Sequence, residues 1–289
     1  MGQVKGAILA DRGVVRIAGA EAEPFLQGLV TADMDALKPG KACFAGLLTP
    51  QGKILFDFLI LRADGGFLVD CRADALADLV KRLNFYRLRA KVEIADESGA
   101  RAVLALWGAV GQAIQGDFYP DPRAAALGFR AIVAHAEAER RLLSAGAEIA
   151  ALNDYHGHRV GLGIPEGGRD FPFGETFPHE ADMDRLSGVS FTKGCFVGQE
   201  VVSRMQHRGT ARSRILPVAI DGAPAPGAEV SAAGKPVGSL VAVHGDRGLA
   251  LLRLDRVEAA RRAGQALVAG EAELTPLEPV WESAADRAS

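Results

Sequence analysis

The 289-residue chain is predicted to be an α+β protein ending in a small β-barrel, on three observations. Strand and helix signals are mixed rather than alternating as strand–helix–strand units. Three apolar runs between residues 41 and 71 are separated only by turn residues, the pattern of an antiparallel meander. Beyond Arg214, short apolar runs recur at roughly ten-residue spacing between Gly, Pro and Asp turns, as in a barrel or sandwich.

GVVRIAG reads as the first strand, and AEAEPFLQGLVTADM as a helix, because Phe25, Leu26, Leu29 and Val30 recur at helical spacing behind Pro24. The meander KACFAGLLTPQGKILFDFLILRADGGFLVDC follows. In ADALADLVKRLNFYRL, Leu76, Leu79, Val80 and Leu83 share one helical face. AKVEIAD, RAVLALWG and LGFRAIVAHA read as strands and AEAERRLLSAGAE as a short helix, with GDFYPDPRAAALG as a Pro-rich loop. From Glu166 to Asp184 six acids and three phenylalanines show no periodicity, marking an irregular segment. VVSRMQHR reads as a helix. A boundary near residue 210 divides an N-terminal region, 1–209, built of two interleaved α+β units, from the barrel, 210–289.

Composition narrows the functions. With 48% hydrophobic and 24% charged residues the chain can bury a core, and its net charge of −3 gives no reason to expect an anionic membrane or non-specific nucleic-acid binding. No run approaches a spanning helix and the N-terminus lacks a secretory signal, so a cytoplasmic monomer is expected. Cys43 and Cys71 lie in strand-like runs and read as buried small hydrophobes.

The chemistry-bearing stretch is KGCFVGQEVVSRMQHRG. Gly194 and Gly198 permit backbone conformations that bring N–H groups and Lys193 close to an anion, although ordinary tight loops also contain glycines beside a lysine. Cys195 is a nucleophile, a ligand or a small residue in a turn; Lys193, a helix N-terminus or His207 would each favour its thiolate. Residues 193–214 carry five bases, Arg208 among them, against Glu200 alone, and read either as a solvated basic helix or as an attraction for phosphates, a polyglutamate tail or an acidic protein. Asp57 sits inside the apolar run ILFDFLILR, where it either faces solvent or binds a cationic or N–H-rich group. Glu180, in FPHEADMD, has the geometry to pair two donors of a flat heterocycle. His156 and His158 are a metal hint without further ligands in sequence.

KGCFVGQE resembles the K-G-C-[FY]-x-G-Q-E signature of the YgfZ-type folate-binding proteins, whose eukaryotic relatives are mitochondrial iron–sulfur assembly factors. Their wider superfamily contains the aminomethyltransferase (T-protein) of the glycine cleavage system. IAGAEAEPFLQGLVTADM, LLTPQGKILFDFLIL and GIPEGG…FPHEADMDRLSGVSFTKGC resemble the family's preceding blocks in order. The resemblance implies a GcvT-like cloverleaf of ferredoxin-like α+β units around a central cavity, closed by the barrel, with tetrahydrofolate as ligand. It makes Glu180 the partner of the pterin ring, places Asp57 where T-proteins carry the acid that assists the aminomethyl chemistry, and puts Tyr155 near the folate. Lys193, Gly194, Gly198, Gln199 and Arg208 become candidate ligand contacts and Cys195 a thiol that meets a cluster or persulfide. Arg12 stands where another aromatic is expected. The function implied is assembly or repair of [4Fe-4S] clusters in client enzymes, those that modify tRNA included, with assembly proteins as partners. A one-carbon transferase using Asp57, and direct tRNA binding through residues 204–214, are the alternatives.

Overall fold

The computed structural model of the chain describes residues 3–109, 117–209, 211–279 and 281. Its strands and helices are, in order, β1 (Val4–Ile8), β2 (Arg12–Ala18), α1 (Ala22–Gln27), β3 (Ala42–Leu48), β4 (Ile54–Ala63), β5 (Gly66–Arg72), α2 (Leu76–Arg87), β6 (Glu93–Asp96), β7 (Arg101–Gly108), β8 (Tyr119–Pro120), β9 (Phe129–Ala134), α3 (Ala138–Ser144), β10 (Glu148–Ile149) and α4 (Leu152–Gly161). After a long irregular segment come α5 (Gln199–Arg208), β11 (Ser213–Asp221), β12 (Glu229–Ala232), β13 (Lys235–His244), β14 (Arg247–Arg253), α6 (Leu254–Arg262), β15 (Leu267–Ala269) and β16 (Ala272–Pro276).

Two five-stranded sheets form, in the orders β3-β4-β5-β2-β6 and β10-β1-β7-β9-β8. The meander appears as expected, with β3, β4 and β5 paired antiparallel in succession. Alternation along each strand explains how the sheets stack. Val14 and Leu68 point to the same core as Ala7, Val103, Ala105 and Trp107 of the other sheet. Their neighbours Val15 and Val69 face the opposite way, onto Leu76, Leu79 and Leu83 of α2. Leu104 and Leu106 of β7 likewise turn onto α3 through Ala138 and Leu142. The result is a helix–sheet–sheet–helix stack with both faces of each sheet covered.

β11 to β16 close into a six-stranded barrel filled by Val218, Val230, Leu240, Leu252 and Leu274. A third core joins barrel residues Ile215 and Leu249 to Phe44, Ile54, Val160, Phe171, Phe196 and Val202. The irregular segment is therefore packed between the first sheet and the barrel. A polar tie reinforces this: Arg214 of β11 donates to Asp182 at 2.5 Å and to Asp184 at 2.9 and 2.7 Å. Asp182 is fully buried at φ 54, and burial outweighs Arg214 and Arg185 to push its carboxyl up to about 6.

Because the fold retains that proton while the unfolded chain, at an ordinary 3.8, releases it, Asp182 erodes stability as pH rises from about 4 to about 6. Asp182→Asn should flatten this part of the pH–stability curve, read as thermal midpoints of variant and wild type across that window.

Candidate functional site

Two constructions concern function: a buried ion-pair network between the sheets, and the loop that carries Cys195.

The network begins on β2, whose Arg12 donates through Nε to Asp70 of β5 at 2.5 Å and through Nη1 to Glu166 at 2.6 Å. Arg130 of β9 donates to the other Asp70 oxygen at 2.9 Å, to Asp121 at 3.2 Å and to the Tyr155 hydroxyl at 2.5 Å. Arg123 donates to Asp121 at 2.9 and 2.7 Å and to Tyr155 at 3.2 Å. Arg159 of α4 pairs with Asp170 and approaches Glu166 to 3.3 Å. Four guanidinium groups thus face four carboxylates, every side chain 7% exposed or less. Burial alone would raise Glu166, but Arg12, Arg159 and His156 hold it well below the usual carboxylate range; Asp121 is similarly held at about 2, chiefly by Arg123 against burial.

Of the residues that the resemblance assigned to the folate, Tyr155 belongs to this network. Tyr155 is 2% exposed, its ring against Trp107 and its hydroxyl accepting from two arginines, so it offers no free face for stacking. Asp57 is buried on β4; Oδ2 accepts the Gly167 N–H at 3.0 Å, Oδ1 has no partner, and burial pushes its carboxyl up. Gly167 packs against both Asp57 and Phe173, since a Cβ added there would lie 2.7 Å from Asp57 Oδ1 and 2.4 Å from the Phe173 ring. Glu180 accepts the Phe177 N–H at 2.9 Å and so fixes its own turn. Cavities of about 700 Å³ lie elsewhere, one beside the barrel and one beside α2, and neither is lined by Asp57, Tyr155 or Glu180. Each of the three thus has a partner within the protein, and Asp57 keeps one buried oxygen unpaired.

Asp11, His156 and Glu166 do converge, with ligand atoms within 4.8 Å of one another. Arg12 and Arg159 already pair with Glu166 and Arg169 with Asp11, so the charge a cation would need is taken. His158 instead stacks on Trp107 and bonds the Ala126 carbonyl.

In the signature loop, Lys193 does not face an anion. Its Nζ donates to the carbonyls of Gln27, Val30 and Ala32 at 2.7, 2.9 and 2.7 Å, three acceptors for three protons at the C-terminal end of α1. Burial lowers the ammonium to about 8, and Asp33 and Asp35 oppose the shift. Thr31 adds a second stitch, accepting the Gly46 N–H and donating to the Gly188 carbonyl. On the far side of the cysteine Phe196 is buried, and Gly198 caps α5 at φ 82 where a Cβ would lie 2.6 Å from the Thr49 carbonyl oxygen. Gly198 therefore uses the freedom expected of it; Gly194 does not, for it is exposed in open space without positive φ. Gln199 opens α5 and its N–H bonds the Phe196 carbonyl rather than a ligand. The side chain of Arg208 lies outside the described residues.

Between these anchors Cys195 is exposed, whereas Cys43 and Cys71 are burial-shifted up to about 12. The lysine two residues away is turned inward onto backbone carbonyls; what the loop supplies is position. In the basic run after it Arg204 pairs with Glu200, and Arg214 with Asp182 and Asp184.

A family model described as the GCVT N-terminal domain matches residues 9–139, and one described as the CAF17 C-terminal beta-barrel domain matches residues 212–284. The chain is 34% identical over 284 residues to the mitochondrial iron-sulfur cluster assembly factor IBA57 of Homo sapiens, covering 86% of this chain and 78% of that protein. The Mus musculus protein of the same name is 33% identical over 282 residues, with the same coverage. In fold it is similar to the glycine cleavage system aminomethyltransferase T of Bartonella henselae, with a TM-score of 0.77 and 16% identity over 96% of this chain and 86% of that one. That these relatives are named mitochondrial overturns the expectation of a cytoplasmic location.

Lys193→Met should strand three buried carbonyls and lower unfolding free energy by about 3 kcal/mol, measured by urea denaturation, while hastening proteolysis within residues 188–198.

Proposed function

The chain belongs to the IBA57 family of iron-sulfur cluster assembly factors, and from that premise we propose that it works by offering the Cys195 thiolate to an iron–sulfur cluster shared with a partner protein. The observation that carries this reading is the exposed thiol on a loop pinned at both sides, by Lys193 on three carbonyls and by Phe196 in the core. Clusters are held by several thiolates or imidazoles, and a single exposed cysteine leaves the rest to a second protein. Cys43 and Cys71 do not supply them: one is half-buried and the other buried, on strands of the first sheet, and burial raises both thiols far above neutrality.

Such a thiol binds the cluster as cargo, held while the partner provides the remaining ligands and given up to a client. Rigid presentation lowers the ordering cost of forming a shared site. The partners are the iron–sulfur assembly proteins, and the recipients are [4Fe-4S] enzymes, those that modify tRNA among them.

In a strain lacking its own copy, Cys195→Ser should accumulate to the wild-type level yet fail to restore the activity of client [4Fe-4S] enzymes. Restoration equal to wild type would remove the thiol from the mechanism.

A further inference from the structure

Two large apolar side chains stand almost clear of the protein at the end of α2: Phe85 is 69% exposed and Leu88 86%. Lys81, Arg82, Arg89 and Lys91, all exposed, surround them in sequence, and residues 81–91 contain no acid. Helical spacing puts Lys81 and Arg82, four and three residues before Phe85, on its side of α2. None of these four cationic side chains has an ion-pair partner among the described residues. The nearest acids in sequence or contact are Glu93, two residues after Lys91 and paired with Arg16, Asp78, one turn back on the helix, and Glu21, which accepts the Lys91 backbone N–H.

We propose that this end of α2 is a docking surface for an anionic lipid membrane, with Phe85 and Leu88 entering the interfacial layer and the cations lying over the head groups. Protruding apolar residues ringed by unpaired bases are what peripheral attachment requires. In the neighbouring cleft beside Phe85, Asp74 is paired with Arg72, which leaves Asp78 against Lys81 and Arg82. The net charge of −3, from which no membrane contact was expected, averages over a local excess that a surface would feel within a Debye length. Attachment is peripheral, as no described helix is long and apolar enough to span a bilayer.

The test is co-sedimentation of the full chain with vesicles of phosphatidylcholine alone and of phosphatidylcholine mixed with phosphatidylserine. Binding to the mixed vesicles only, weakened by salt, is expected. Phe85→Ser combined with Leu88→Ser should abolish it, and Arg82→Ala combined with Arg89→Ala should weaken it about thirtyfold, with thermal midpoints unchanged. No sedimentation with either vesicle, or equal binding by the variants, overturns the proposal. Capture of polyglutamate through the same residues without vesicle binding also overturns it and assigns the face to an acidic protein.

Discussion

Arg12, at the start of β2, reaches to Asp70 and Glu166, and through them holds Arg130 and Arg159 in the space between the sheets. Removing four guanidinium groups and four carboxylates from water is affordable only because each finds several partners of opposite sign. Such a network adds little net stability over an apolar core of the same volume, but loss of one member leaves a buried charge uncompensated. It thereby fixes one register for β2, β5, β9 and α4 and the start of the irregular segment at Glu166 and Asp170.

That register passes outward to the signature loop. The segment anchored by Glu166 and Asp170 runs past Asp182 and Asp184, where Arg214 secures the barrel, and on to Gly188 and Ser190, bonded to Thr31. Lys193 then locks onto the end of α1. The exposed position of Cys195 is set by contacts at both ends of the loop, not by local turn chemistry.

Much of the fold was legible in the sequence because apolar periodicity reports burial: the meander, α2 and the barrel strands all announce themselves this way. Helix α4 was not, since its buried face carries Tyr155, His156 and Arg159 and has no apolar stripe. The short β1 was also missed; its glycine at position 6 is packed against Leu142, Ala147 and Leu106 and breaks the strand pattern. For the site, the eight-residue signature singled out Cys195 and Gly198, but no local pattern could show that Lys193 finds its acceptors more than 160 residues earlier. Asp70 had a signal like that of Asp57, an acid at the end of an apolar strand run, and its partners Arg12 and Arg130 lie 58 and 60 residues away in sequence. Pairing between distant ions leaves no period to read.

The interior occupied by arginines and carboxylates bears directly on the ligand-binding reading of the fold. Titration calorimetry of tetrahydrofolate into the wild-type protein under anaerobic conditions addresses it most directly. No saturable heat is expected, because Asp57 and Tyr155 are buried and Glu180 is engaged by the Phe177 N–H. Saturable one-to-one binding that Glu180→Ala abolishes would contradict this and restore a folate site to the centre of the molecule.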